Sequence, residues 1–371
     1  MQIVIDARMV SEQMHGIARY TYNLAERFSE IDNENNYILL VNNDYLAGFV
    51  KDKPNLEIYR VKSSFISTAE QVELPFILKK LGPDLFHTPS FVAPAWCPCR
   101  LVMTVHDVNH MVFPQYYAKI HQVYYKYIVR PSAHKAKTVL TVSEFSKGEI
   151  TRYLGVAPDK IEVTYNGVDS GYRLIKDRSY LDRVREKYCL PEHFILCVSN
   201  NKPHKNLKTL LQAFARADTN YSLILSVDPK GEEDTLAGQL GISGRVRFTG
   251  HIPDRDLPGL YNLAGLFVFP SLYEGFGLPP LEAMACGTPV IVSSAASLPE
   301  VAGDAGIMVE PRDVEGLAQA IGRVLKDQPL RAEMTEKGFR QAQKFTWDNT
   351  ARETLRVYRE VGRGHSGNQR R

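Results

Sequence analysis

Short apolar runs alternate with helix-patterned segments along nearly the whole chain, twice over, and that alternation leaves few folds open. In the first half, residues 3–5, 37–41, 84–87, 101–105, 138–142 and 161–165 read as buried strands. Between the first two, residues 17–31 carry Ala18, Tyr22, Ala25 and Phe28 at helical spacing. Ser143 is placed to cap a helix over 144–154. A polar, charged stretch over 169–191 reads as a linker with a surface helix. Strand patterns then resume at 194–198, 222–226, 246–248, 266–269 and 289–292. Strand–helix–strand repeats close as right-handed crossovers within parallel sheets. Two such blocks imply an α/β protein of two doubly wound, Rossmann-like domains. Ligands of such sheets bind at the carboxyl ends of the strands, so a cleft between the domains is the expected site. The expected boundaries are 1–168, 169–346, a closing helix over 347–361, and a Gly- and Arg-rich tail over 362–371 that is expected to be disordered.

A chain of 371 residues suits two domains, and 44% apolar with 23% charged residues supports ordinary cores. A net charge of +3 is too small to argue for nucleic acid as a partner. No apolar run reaches the roughly 18 residues of a membrane span. Residues 1–6 enter a strand pattern directly, so no secretory signal is expected. Five scattered cysteines fit a reducing cytosol, and a cytoplasmic protein is expected. Cys97 and Cys99 flank Pro98 with no second Cys or His pair at zinc-like spacing, and they read as structural.

The densest signal for chemistry is the stretch from Glu274 through Gly275, Phe276, Gly277, Leu278, Pro279, Pro280 and Leu281 to Glu282. It follows the strand at 266–269 and leads into a helix expected over 281–287. The glycines let the backbone approach a ligand closely. Prolines suit a first helical turn, and the free amides there favour an anion such as phosphate. Glu274 precedes the glycines, and Glu282 is expected in the helix's first turn. Carboxylates on either side of a phosphate cradle make sense as acceptors for hydroxyls, one set on a sugar and one on a ribose. An acid near a helix start is commonplace alone. Strand, Glu, two glycines, two prolines and Glu together exceed what capping explains.

Three other strand ends supply candidates. Asn200, Lys202, His204 and Lys205 lie between the strand at 194–198 and a helix over 207–217. Lys205 could stabilise a diphosphate there, or the turn is a solvated basic surface. His106 ends the strand at 101–105, where it could orient a sugar hydroxyl or simply be a satisfied polar group. Gly16 and Arg19 open the helix over 17–31. They lack the Gly-x-Gly-x-x-Gly pattern of a dinucleotide site, and Arg19 alone reads as a salt-bridging residue. Asp254 and Asp256 read as helix-capping acids, and no metal is expected. Over 116–137, Tyr117, His121, Tyr124 and Ile128 share a helical face. That face reads either as a basic–aromatic surface meeting a membrane or as tyrosines packed on their own domain.

With these residues in view, the chain resembles the retaining nucleotide-sugar glycosyltransferases of glycosyltransferase family 4, which have the GT-B fold. The resemblance rests on 274–282, 283–289, 298–300 and 246–250 in the second half, and on 104–107, 142–147 and 166–169 in the first. It covers residues 3–361. It implies two Rossmann-like domains facing each other across a cleft, with the terminal helix returning to the first. It implies that Glu274 holds hydroxyls of the donor sugar and Glu282 the ribose. Amides around Phe276, Gly277 and Leu278 would hold the diphosphate, with Lys205 against it, and His106 would lie beside the transferred sugar. Gly16 would belong to an acceptor-side loop. Many members carry an arginine where Asn200 stands and another where His204 stands, so this chain offers fewer permanent cations there.

The implied reaction is transfer of a hexose with retention to a saccharide or lipid-linked acceptor. The implied donor is GDP-mannose, a substrate, and no cofactor is expected. Front-face attack would pass the acceptor proton to the departing phosphate. A sugar-nucleotide isomerase or hydrolase, or a non-enzymatic sugar-nucleotide binder, are the rival readings.

Overall fold

The computed structural model describes residues 1–12, 14–228 and 231–363, so the tail expected over 362–371 lies from residue 364 on outside the described residues. The chain divides into two compact units. One is Met1–Asn166 together with the closing helix Trp347–Arg363, and the other is Gly167–Thr346.

The first unit is built on seven parallel strands: β1 (Gln2–Asp6), β2 (Asn36–Val41), β3 (Leu56–Arg60), β4 (Leu85–Thr88), β5 (Arg100–Thr104), β6 (Thr138–Thr141) and β7 (Ile161–Val163). Their order is β3-β2-β1-β4-β5-β6-β7. Register pairs Val4 with Ile38 on one side and with Phe86 on the other. The period of two then sorts the sheet's side chains. Val4, Ile38, Leu40 and Phe86 enter one buried cluster, and Ile3, Ile5, Tyr37 and Leu39 enter the other. Both faces are covered, which is why the central strands read as unbroken apolar runs.

The closing helix belongs to the second of these clusters. Trp347, Leu355 and Tyr358 pack there with Tyr20 and Phe28 of the helix Gly16–Ile31. Fully buried side chains of this size contribute about 1.5–3 kcal/mol each. The helix is thereby part of the first unit's core, although it follows the second unit in sequence.

The second unit has six parallel strands: β8 (Phe194–Cys197), β9 (Ser222–Leu225), β10 (Val246–Phe248), β11 (Leu266–Phe269), β12 (Val290–Ser293) and β13 (Ile307–Val309). Their order is β10-β9-β8-β11-β12-β13. The helix Arg178–Lys187 falls inside the stretch expected to hold a linker, and its start is capped by Asp177 accepting from the Tyr180 amide.

Strands β3 and β13 and the helices Glu70–Leu81, Leu298–Ala302 and Val314–Lys326 lay outside the sequence reading. Both strands are sheet edges and only part-buried. An edge strand needs less apolar sequence, so its signal is weaker.

In each unit the strand order reverses once, between β1 and β4 and between β8 and β11. The loops leaving adjacent strands there run in opposite directions and open a crevice at the strands' carboxyl ends.

Candidate active site

At the reversal in the second unit, the turn after β8 and the loop after β11 are tied together. Pro203–Lys205 forms one tight turn, and Asn206 ends it in the left-handed region at φ 59°. Asn206 then donates through Nδ2 to the Pro270 carbonyl at 3.0 Å and to that of Pro311. The Leu272 amide donates to the His204 carbonyl at 2.7 Å. These clamps bring two of the sequence candidates into contact. Lys205 Nζ donates to Glu274 Oε1 at 2.6 Å, with side chains only 13% and 15% exposed. The same ammonium lies 5.4 Å above the Phe269 ring. Cys197 is buried close to the pair. Burial pushes its thiol up to about 12, a shift that nearby Lys205 opposes and Glu274 reinforces.

The glycine-rich turn follows directly. Ser297 Oγ donates to the carbonyls of Glu274 at 3.0 Å and of Phe276 at 2.5 Å. The Phe276 ring packs edge-on to Phe345 at 5.6 Å, so that side chain is core and only its backbone can serve a ligand. Gly277 sits at φ 117° at the start of the helix Leu278–Ala285. A Cβ there would lie 2.8 Å from Leu298 Cδ2, so glycine is required twice over, by conformation and by space. With two carbonyls held by Ser297, the amides that open the helix are left at the ligand-facing turn.

Glu282 is not in the first helical turn. The helix begins at Leu278, three residues earlier than expected, because Pro279 and Pro280 extend its start, and Glu282 is its fifth residue. It is 4% exposed, and its Oε2 accepts from Tyr261 Oη at 2.9 Å. Burial, reinforced by this carboxylate, pushes the Tyr261 phenol upward. Tyr261 and Ser297 were both missed in the sequence. Each acts only through a contact made in three dimensions, although Ser297 directly precedes the 298–300 stretch already singled out.

The first unit places His106 just past the end of β5. Its Nε2 is 3.0 Å from the Pro89 carbonyl, so that nitrogen carries the proton and donates. Its ring meets Tyr20 edge-on at 4.8 Å. The helix capped by Ser143 also holds this residue, because Ser146 Oγ donates to the His106 carbonyl at 3.0 Å. Burial lowers the His106 pKa and favours the neutral ring. Behind it, fully buried His87 joins Tyr358 Oη at 2.6 Å through Nδ1 and Thr104 Oγ1 at 2.8 Å through Nε2.

Burial holds His87 neutral, with its pKa lowered to about 3. An unfolded histidine titrates near 6.5, so below that pH the unfolded chain binds a proton that the folded one refuses. Stability should therefore fall as pH drops from about 6.5 toward 3, by up to about 1.4 kcal/mol per pH unit from this residue. Urea midpoints at pH 7 and 5 should drop less in His87→Gln than in wild type. Equal drops would contradict the assignment.

Gly16 opens the helix Gly16–Ile31, and a Cβ added to it would meet nothing within 4 Å among the described residues. Packing does not demand glycine there. Arg19 is half-buried one turn further on, its amide bonded to the His15 carbonyl. Asn200 is exposed and accepts from the Lys202 amide within its own turn. His204 is turned into the fold at 4% exposure and contributes its carbonyl to the clamp described above.

Asp256 does not cap its helix with its side chain. Its carboxylate accepts from Lys187 Nζ at 2.5 Å and Tyr188 Oη at 2.7 Å, because the linker-region helix supplies stronger partners. Among the described residues no cluster of three or more metal-ligating side chains occurs.

Over 116–137 the tyrosine–histidine face turns inward. Tyr117 and His121 pack on His110 at 4.1 and 5.2 Å, and Tyr124 Oη donates to Glu70. The face left outside carries Tyr116, Ile120, Val123 and Tyr127 instead.

The sequence signature described as Glycosyltransferase Family 4 matches residues 14–172, and that of Glycosyl transferases group 1 matches residues 183–341. The chain is 33% identical to O-antigen chain mannosyltransferase B of Escherichia coli, over 97% of this chain and 100% of that one. It is 28% identical to the serotype-specific mannosyltransferase WbdA of Escherichia coli, over 95% of this chain but 47% of that longer protein. Among solved structures, Anabaena HepE in complex with UDP and glucose superposes with a TM-score of 0.77. That match is at 20% identity, over 97% of this chain and 100% of that one, and it speaks to the fold.

Proposed function

The chain belongs to glycosyltransferase family 4, and we propose that it transfers mannose from GDP-mannose to a hydroxyl of a lipid-linked saccharide in surface-polysaccharide synthesis. It has the GT-B fold, with one doubly wound sheet in each unit. The observation that carries the reading is the meeting of Lys205 and Glu274 at 2.6 Å beside the glycine turn and Glu282. The mannosyltransferase relatives support the choice of sugar.

The roles follow from charge and position. Leaving-group departure builds negative charge on the diphosphate, and the Lys205 ammonium with the amides opening Leu278–Ala285 stabilises it. Glu274, released from Lys205, accepts from hydroxyls of the transferred sugar. Glu282, held by Tyr261, accepts from the ribose hydroxyls. His106 is assigned a sugar hydroxyl to orient. Gly16 and Arg19 serve the acceptor side. The acceptor oxygen attacks the face that the diphosphate leaves, a phosphate oxygen takes its proton, and configuration is retained. The reaction requires no metal or cofactor on this reading. Incubating the protein with GDP-mannose and an oligosaccharide acceptor tests it, with the product's anomeric configuration read by NMR. An α-mannosyl product is expected. Epimerised or hydrolysed sugar nucleotide without transfer would favour the rival enzyme.

A lipid-linked acceptor places the work at a membrane face, here the inner face of the cell membrane. Among the described residues no helix is long and apolar enough to cross a bilayer. We assign peripheral contact to Ile120, Val123 and Tyr127, spaced three and four apart along the segment that starts at Lys119, with Tyr116 in the turn just before it, all 46–67% exposed. Between Asp107 and Glu144 there is no acid, while Lys119, Lys126, Arg130, Lys135 and Lys137 supply cations. Each basic side chain near an anionic surface contributes about 1 kcal/mol. The protein should sediment with phosphatidylglycerol vesicles, and the Ile120→Glu, Tyr127→Glu double variant should lose about tenfold in binding. Undiminished binding would exclude this stripe.

A further inference from the structure

We propose that Cys97 and Cys99 form a thiol–disulfide exchange site that closes to an intramolecular disulfide on reaction with a low-molecular-weight disulfide such as oxidised glutathione. The proposal is independent of the sugar-transfer reading.

Their Sγ atoms lie 3.6 Å apart, in contact, at the end of the segment that enters β5. A disulfide needs about 2.05 Å, so closure asks for only a small convergence of two side chains. Pro98 stands between them, exposed, and its ring limits the backbone freedom that closure would otherwise have to remove. Both residues are half-buried, so the pair packs against the first unit's core without being sealed inside it.

The other three cysteines are unlike this pair. Cys197 and Cys286 are buried, and burial raises both thiols. Cys189 is exposed and stands alone. The pair is also asymmetric. A hydrogen bond from Cys99 favours the Cys97 thiolate and lowers its pKa, while the Cys99 proton is held.

That asymmetry orders the exchange. The Cys97 thiolate attacks one sulfur of oxidised glutathione and expels glutathione thiolate, leaving a mixed disulfide. Cys99 then loses its proton and attacks Cys97 Sγ, expelling the second glutathione thiolate. One sulfur–sulfur bond breaks and one forms. The two cysteine thiols are oxidised, and oxidised glutathione is reduced to two thiols that carry away both protons.

The experiment uses the full chain with Cys189→Ser, equilibrated in glutathione buffers of rising oxidised fraction and quenched by alkylation. Both residues fall in one tryptic peptide, bounded by Lys80 and Arg100. That peptide should become two hydrogens lighter, lose both alkylation sites and keep no glutathione, and dithiothreitol should reverse the change. In Cys99→Ser the mixed disulfide should persist on Cys97. In Cys97→Ser, Cys99 should react about tenfold more slowly than Cys97 does in Cys99→Ser. A stable glutathione adduct on one residue of the intact pair would overturn the proposal. So would two thiols that remain alkylatable where Cys189 in the natural chain is already modified.

Discussion

Lys205→Ala should lower kcat/KM for sugar transfer by about a hundred- to a thousandfold, the usual loss when one charge-stabilising group is removed from a transition state. Glu274→Ala should fall at least as far, because it removes the acceptor for the sugar's hydroxyls. Stability separates a functional pair from a merely structural one. Each side chain is about 85% enclosed, so deleting one leaves the other charge poorly solvated, at a cost of about 1–3 kcal/mol. The double variant removes both charges and should recover most of that stability. If the pair serves the donor, the double variant stays inactive despite its recovered fold. If the pair only holds two loops together, activity should return along with stability. Urea denaturation and turnover on the same four proteins decide between these outcomes.

The second large effect is expected at Gly277. Alanine there would have to hold φ near 117° with its Cβ 2.8 Å from Leu298 Cδ2. The strained conformation alone costs about 1–3 kcal/mol. The clash cannot be relieved without moving Leu298, a fully buried residue, or the turn itself. Where the turn yields, the amides opening the helix swing away from the position that suits a phosphate. Gly277→Ala is expected to lower the melting temperature and to weaken GDP binding at least tenfold, with retained far-UV circular dichroism. Gly16→Ala is the control, since its Cβ would meet nothing among the described residues. A Gly277→Ala protein with unchanged GDP affinity would show that these amides do not touch the nucleotide.

Much of this architecture was legible because both sheets are covered on both faces. Strands such as 3–5 and 266–269 are apolar throughout, and the glycines and charged residues gather at their carboxyl ends, where parallel sheets bind ligands. The illegible parts share a physical cause, which is that they depend on partners distant in sequence. β3 and β13 are sheet edges and need only half an apolar pattern. Asp256 looks like a cap until the helix Arg178–Lys187 brings Lys187 and Tyr188 to it. Over 116–137 the helix begins only at Lys119, after Tyr116 has closed a separate turn and Tyr117 has run extended, and spacing alone does not say which stripe turns inward. Tyr117 and His121 pack on His110, and Tyr116 and Ile120 are left outside. Glu282 was placed one turn too early, since the helix starts at Leu278 and Glu282 is its fifth residue. Its bond to Tyr261 could not be read from spacing, as the two are 21 residues apart on different helices.

In the proposed reaction the crevice between β8 and β11 receives the donor's diphosphate, and doing so separates Lys205 from Glu274. A crystal structure of the chain with GDP tests it most directly. Diphosphate density is expected against the amides of residues 276–278, with Lys205 Nζ turned onto a phosphate oxygen and away from its 2.6 Å contact with Glu274. GDP bound elsewhere, with that contact intact, would contradict it.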